Sequence, residues 1–273
     1  MFRTTTEALP ASAFSLLDSG AFRASSLTRG LWNPDHQHAG PPIALVCRAV
    51  EIAAKERGLT HVARITANLI RPLPIGDLTV AVATDYAGRN VGHFAAQLMA
   101  GGKEVARFTA LVHREQDLQV PEGLPGHPLP MAPAAVEDSH AATFPFEEER
   151  LGYSDLVEVR VARGRFFHGP CAVWFRMRSP LLGDEVPSVY QRVAVIADSC
   201  NGISAVLDLK RYSFVNSDLT INLLRRPIGE WICLDARTYL GPSACGHAEA
   251  TLYDNHGLIG RALQTLAVSP RGQ

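Results

Sequence analysis

The sequence predicts an α+β fold of two antiparallel sheets, each wrapped round a buried helix and joined edge to edge. Three observations predict it. Two segments read as helices that are apolar on nearly every face, each segment is flanked by runs with strand character, and the second half repeats the first at an offset of 154 residues (247 minus 93). A helix that is apolar all round is enclosed by its own protein rather than laid on its surface.

Residues 13–32 give an extended start that ends at Trp32-Asn33-Pro34, where the proline restricts Asn33 and marks a turn. A helix follows. His38-Ala39-Gly40-Pro41-Pro42 opens it, and residues 43–55 are apolar except for Arg48, Glu51 and Lys55, at spacings of three and four. Strand character then runs through 62–71, 78–85 and 93–99, and through 104–113 beyond a Gly101-Gly102 hairpin turn. From 115 to 149 the apolar residues lose their period and Pro121, Pro125, Pro128, Pro130, Pro133 and Pro145 crowd the segment, so a linker separates one half, 1–114, from another, 150–273. Beyond it 157–163, 165–167 and 172–177 are strand-like, a second apolar helix covers 190–207, and strands follow at 219–224, 231–238, 247–253 and 258–268.

The repeat is visible letter by letter. Asn68-Leu69-Ile70-Arg71 matches Asn222-Leu223-Leu224-Arg225, and Pro74-Ile75-Gly76-Asp77 matches Pro227-Ile228-Gly229-Glu230 after a slip of one residue. Gly92-His93 then matches Gly246-His247, and Ala106-Arg107 matches Gly260-Arg261. These residue types suit turns and strand ends of a duplicated fold.

Composition bounds the function. The chain has 273 residues, 47% hydrophobic and 19% charged, with a formal net charge of -1, so it carries no electrostatic footprint for nucleic acid or an anionic membrane. The five cysteines (Cys47, Cys171, Cys200, Cys233 and Cys245) are scattered and odd in number, which argues against a disulfide framework or a zinc site and fits the reducing cytoplasm. The first residues lack an apolar core for a signal peptide, and no run reaches the roughly 18 residues that span a bilayer, so neither export nor a membrane anchor is expected.

The most informative residue is Asp198, a carboxylate in the middle of the second apolar helix. A buried carboxylate without partners costs several kcal/mol on an order-of-magnitude scale. Asp198 is therefore either a hydrogen-bonded group of an active site or part of a narrow exposed stripe with Asn201 and Gly202.

The order and spacing of several short motifs resemble the acyl-CoA thioesterase II-like family, whose fold is a double hotdog. His38-Ala39-Gly40-Pro41-Pro42 with Ala44-Leu45 resembles its first hotdog helix, and Ile196-Ala197-Asp198 the start of the catalytic segment in its second. Asp218-Leu219-Thr220 with 225–227 resembles the following strand, and Leu263-Gln264-Thr265 the last. The resemblance implies hydrolysis of an acyl-CoA substrate to a free acid and CoA, without metal or organic cofactor, by a water held between an Asp, a Thr or Ser, and a Gln. It maps the Asp onto Asp198 and the Gln onto Gln264, while the hydroxyl position departs from the pattern: Asn216 stands there with Ser217 beside it. It also implies association into a homodimer or higher homo-oligomer.

Thioester hydrolysis needs a proton acceptor for water and donors for the oxyanion. Backbone N–H groups near Gly40, at the positive end of the first helix, are candidate donors, although a glycine there also permits close packing. His38, just outside the same helix, is a candidate substrate contact or a solvated ring. The sequence has no GxSxG, Walker, GxGxxG or HExxH motif, and His36-Gln37-His38 lacks a third ligand at metal-site spacing. Asn33-Pro34-Asp35-His36 matches the tail of a hotdog hydratase motif whose Asp is replaced by Leu31, which leaves enoyl-CoA hydration as a minor alternative and non-catalytic acyl-CoA binding as another. Phe94, Leu98, Phe166, Phe167 and Trp174 are expected to shape the acyl pocket. At the 154-residue offset Gln264 faces Ala110, Asn216 faces Val62, Ser217 faces Ala63 and Asp198 faces Ala44, so one active site per chain is expected, in the second half.

Overall fold

The computed structural model describes residues 8–119, 121–122, 129–144 and 150–271. Pro125, Pro128 and Pro145 of the expected linker lie outside the described residues. A short hairpin, β1 (Phe14–Leu16) and β2 (Phe22–Ala24), leads into α1 (Gly40–Lys55), whose Pro41 and Pro42 sit where a missing N–H has no helical acceptor to forfeit. Four long strands follow: β3 (His61–Leu69), β4 (Asp77–Ala87), β5 (Val91–Ala100) and β6 (Lys103–His113). The second half comprises β7 (His140–Ala142), α2 (Tyr153–Leu156), β8 (Val157–Arg163), β9 (Cys171–Met177), α3 (Val189–Ala197) and α4 (Cys200–Ser204). It closes with β10 (Tyr212–Asn216), β11 (Asp218–Leu223), β12 (Ile232–Leu240), β13 (Cys245–Asp254) and β14 (Gly257–Pro270).

The strands form one continuous antiparallel sheet in the order β1-β2-β4-β5-β6-β3-β11-β14-β13-β12-β9-β8-β7, with β10 also on β14. The reason lies at the middle. β3 and β11 hydrogen-bond from Asp218 opposite Asn68 to Asn222 opposite Arg64, so neither half keeps a free edge there. The pairing is centred on Thr66 and Thr220, 154 residues apart, whose Oγ1 atoms lie 3.2 Å from each other. The same offset separates the starts of β5 and β13 (245 minus 91) and of β6 and β14 (257 minus 103). The internal repeat is thus a repeat of strand register.

Two sequence expectations are corrected. The single helix over 190–207 is α3 and α4, broken at Asp198 and Ser199, because Ser199 N–H takes the Ile196 carbonyl at 2.9 Å in a tightened turn. The chain leaves helical geometry after Ser204. Residues 165–167 form a turn, with Phe167 in the left-handed region (φ 60°), rather than a strand. The proline-rich segment is also more than a spacer. Its residues 140–142 add β7 to the sheet edge, Ala134 O accepts Trp174 Nε1–H at 2.9 Å, and Val136 packs on Ala172, Trp174, Cys233 and Tyr253.

The main core lies between one face of the sheet and the α1/α3 pair. The two helices run antiparallel: Gly40 at the start of α1 touches Val195 near the end of α3, while Glu51 near the end of α1 accepts hydrogen bonds from Ser188 and Gln191 at the start of α3. A Cβ on Gly40 would stand 2.1 Å from Val195 O, so close approach of the helices is what requires glycine here. No described helix is long and apolar enough to cross a membrane.

Candidate active site

The break between α3 and α4 puts Asp198 at the rim of the buried helix pair, with its side chain only 4% exposed. Three elements converge on it. From β14, fully buried Gln264 donates Nε2–H to Asp198 Oδ1 (2.9 Å) and to Asp198 O (3.0 Å), while its Oε1 accepts the N–H of Asn201 (3.1 Å). From the end of β10, Asn216 donates Nδ2–H to the same Oδ1 at 2.8 Å. From the segment before α1, His38 Nδ1 lies 3.2 Å from Asp198 Oδ2 and 3.2 Å from Gly40 N.

The position of Asn216 follows from a local irregularity. β10 and β11 both pair with β14, but the strand kinks at Ser217, where Asp218 Oδ1 accepts Thr265 N–H at 2.6 Å. The kink turns Asn216 inward. Ser217 stays exposed and enters the hydrogen-bond pattern through its backbone, donating to Thr265 O and accepting from Leu69 N–H. Of the two candidates for the third position, Asn216 is the one brought to Asp198.

His38 is held by stacking on Tyr153 (ring centroids 3.7 Å apart, planes 5° apart). The Tyr153 hydroxyl donates to Val195 O at 3.1 Å and accepts from Ser199 Oγ at 2.9 Å, so both members of the stack are tied to the α3 terminus. Burial pushes the Tyr153 phenol well up and holds the His38 ring below its ordinary range, against the pull of the Asp198 charge. A neutral His38 whose Nδ1 accepts Gly40 N–H has no proton there to give Asp198, so in that tautomer the 3.2 Å approach to Oδ2 is not a hydrogen bond.

A cavity of about 420 Å³ opens above these groups. Its walls come from both halves: Leu31, Trp32, Leu69 and Leu73 on one side, Phe144, Phe167, Leu209 and Phe214 on the other, with Asp198, Asn216 and Gln264 lining it too. Of the residues expected to shape an acyl pocket only Phe167 does so. Phe94 and Leu98 are enclosed in the main core, Phe166 belongs to the same core, and Trp174 points to the opposite face of the sheet beneath residues 134–136. Gly40 itself does not line the cavity, whereas Ala39 and His38 do. His36 also lines it, and Asn33, from the hydratase-like tail, uses Oδ1 to accept the N–H of Asp35 in a turn (2.8 Å).

Family models match both halves. Residues 28–113 match the acyl-CoA thioesterase N-terminal domain and residues 130–268 the acyl-CoA thioesterase C-terminal domain. The chain belongs to the acyl-CoA thioesterase family. It is accordingly a thioester hydrolase. No curated protein matches the sequence. Among solved structures, a proposed thioesterase II of Thermobifida fusca is 15% identical (TM-score 0.71; 95% of this chain and 96% of that one covered). A protein of Alicyclobacillus acidocaldarius described as having a hot dog fold is 17% identical (TM-score 0.69; 96% and 97%), and the acyl-CoA thioesterase II TesB2 of Mycobacterium marinum is 15% identical (TM-score 0.62; 94% and 95%). At these identities the likeness shows the fold, which is the hotdog fold.

Tyr153 and Ser199 of this candidate site carried no readable signal in the sequence, and Asn201 entered the sequence reading only as part of a narrow exposed stripe with Asp198 and Gly202, whereas it is buried. Tyr153 follows the proline-rich segment in a four-residue helix without a period, and Asn201 reads as part of the apolar helix. Asn201 Nδ2 donates to Phe214 O at 3.2 Å and its Oδ1 accepts from Thr238 at 3.3 Å, which fixes the backbone N–H that holds Gln264.

Proposed function

We propose that the chain hydrolyses acyl-CoA thioesters with water activated by Asp198, in a double-hotdog frame with one active site per chain. The observation that carries this reading is the pair of amide donors on one oxygen of a buried carboxylate. Asn216 and Gln264 both engage Oδ1, which fixes the carboxylate and leaves Oδ2 for the proton of a water. The water oxygen adds to the thioester carbonyl carbon and its proton passes to Oδ2. Collapse of the tetrahedral intermediate breaks the C–S bond, and the departing thiolate takes that proton, giving free acid and CoA.

The oxyanion donor in this reading is Ala39 rather than Gly40. The N–H of Gly40 is directed to His38 Nδ1, and Pro41 and Pro42 have none. Ala39 lines the cavity at the positive end of a 16-residue helix, and its N–H has no acceptor among the described residues. Homo-oligomeric assembly and a cytoplasmic setting remain part of the proposal.

A thiol-release assay over acyl-CoAs of graded chain length tests it. Release with at least one chain length is expected. Saturable binding without release would establish an acyl-CoA-binding protein instead, and loss of enoyl absorbance with crotonyl-CoA would establish a hydratase.

A further inference from the structure

One bulky residue at the cavity wall has a backbone conformation that favours glycine. Residues 164–170 join β8 to β9, and Phe167 lies among them at φ 60°, in the small left-handed region that few side chains adopt. The same loop uses glycine at its two other positive-φ positions, Gly164 (82°) and Gly169 (85°). At 167 glycine would again be the easy choice, yet a phenylalanine stands there. The ring therefore has a task that outweighs the backbone cost.

What the left-handed turn achieves is visible in the side chains. In an extended backbone successive side chains leave on opposite sides, so Phe166 and Phe167 could not both point inward. Here they do. Phe166 belongs to the main core and stacks on Phe144 (ring centroids 5.3 Å apart), while Phe167 lines the cavity. The loop is held in this shape from outside: Phe167 N–H donates to Ile203 O at 3.3 Å and Gly169 N–H to Ala205 O at 3.2 Å, carbonyls at the end of α4 that lack a helical partner.

These bonds also fix how far the ring stands from the chemistry. α4 starts at Cys200, just after Asp198, and its five residues span about 7.5 Å at the helical rise. Phe167 is anchored at its far end. It shares that wall with Phe144, Leu209 and Phe214, an apolar surface suited to a hydrocarbon chain.

We propose that Phe167 is the stop of the acyl channel and sets the chain-length preference of the enzyme, which is for short acyl groups. A chain that starts at a carbonyl beside Asp198 and runs along α4 meets the ring after about 7.5 Å. A longer chain has to displace a ring whose backbone is tied to α4. The inference rests on the thioesterase reading of the same cavity and deepens it to a substrate class.

The test compares butanoyl-CoA with dodecanoyl-CoA in the wild type, Phe167→Ala and Phe167→Gly. The wild type favours butanoyl-CoA in kcat/KM. Both replacements raise the dodecanoyl-to-butanoyl ratio of kcat/KM at least ~10-fold, the low end of what one methylene of misfit costs in an apolar pocket. Phe167→Gly suits φ 60° and relieves the backbone, which keeps the test open if Phe167→Ala folds poorly. A wild type that favours dodecanoyl-CoA, or an unchanged ratio in a folded variant, would overturn the stop. Calorimetric titration with S-butyl-CoA and S-dodecyl-CoA, thioethers that cannot be hydrolysed, reads the same wall without turnover. A gain of at least ~10-fold for the dodecyl over the butyl ligand in Phe167→Gly supports the proposal. Parallel affinities in variant and wild type overturn it even in a chain that hydrolyses nothing.

Discussion

At one end of the α1/α3 pair Asp198 faces a cavity; at the other end of the same two helices Glu51 is also a shielded carboxylate, and it has no part in that cavity's lining. The partners explain the difference. Asp198 receives two amide donors on Oδ1 and keeps Oδ2 toward the cavity, whereas Glu51 Oε2 accepts both Ser188 Oγ–H (2.8 Å) and Gln191 Nε2–H (2.9 Å) from the first turn of α3. Burial pushes the Glu51 carboxyl up, and those two hydrogen bonds oppose the shift without cancelling it. Glu51 therefore works as an anchor for a helix start, while Asp198 at the other end is left free for chemistry.

The sheet repeats this contrast. Where the second half has Asn216 and Gln264, the first has Val62 and Ala110, both buried. Cavity-lining Val215 and Ala267 correspond to His61 and His113. His61 fills its place by bonding the Tyr190 hydroxyl (3.1 Å) and Leu223 O (3.2 Å). A shared frame thus carries an open polar site on one side and a filled, anchored one on the other.

Replacements at the two kinds of position should separate them. Gln264→Ala is expected to lower kcat by at least ~100-fold, and because it also strands the N–H of Asn201 it should destabilise by about 1–3 kcal/mol, read by denaturant unfolding. Asn216→Ala should lower kcat about tenfold, the scale of one lost hydrogen bond to a charged group, while Ser217→Ala stays within twofold of wild type. A larger effect at Ser217 than at Asn216 would reverse their roles. The smallest effect concerns pH. His38 is held below its ordinary range by burial, so the unfolded chain takes up its proton near pH 6.5 while the native state does not. Stability should fall as pH drops through about 6.5 and level off below the native value. His61 shares the depression, so the His38 share is the part of the change in Tm between pH 8 and pH 5.5 that His38→Gln removes.

Much of the frame was legible because register repeats leave residues behind: Asn68-Leu69 and Asn222-Leu223, Gly92-His93 and Gly246-His247 mark equal positions on corresponding strands of the two halves. An edge-to-edge join of the halves was expected, but which strands make it was not legible, because pairing between β3 and β11 depends on backbone groups that side chains do not advertise. Motif order pointed to Asp198, Gln264 and either Asn216 or Ser217, and the structure brings Gln264 and Asn216 to the Asp198 carboxylate. The contact with His38, 160 positions before Asp198, was not legible, since spacing along a chain says nothing about antiparallel helix ends meeting. The acyl-wall expectation failed for a related reason. β9 is buried on both faces, so the side on which Trp174 lies leaves no alternation to read.

The most direct test of the account is thiol release by Asp198→Asn beside Glu51→Gln. Both changes are nearly isosteric and both remove a charge. Asp198→Asn should lose at least ~100-fold in kcat, the low end of what a positioned acid–base group contributes, while Glu51→Gln keeps kcat within about twofold because its carboxylate only anchors α3. Wild-type turnover in Asp198→Asn together with collapse in Glu51→Gln would place the chemistry in the other end of the helix pair and contradict the account.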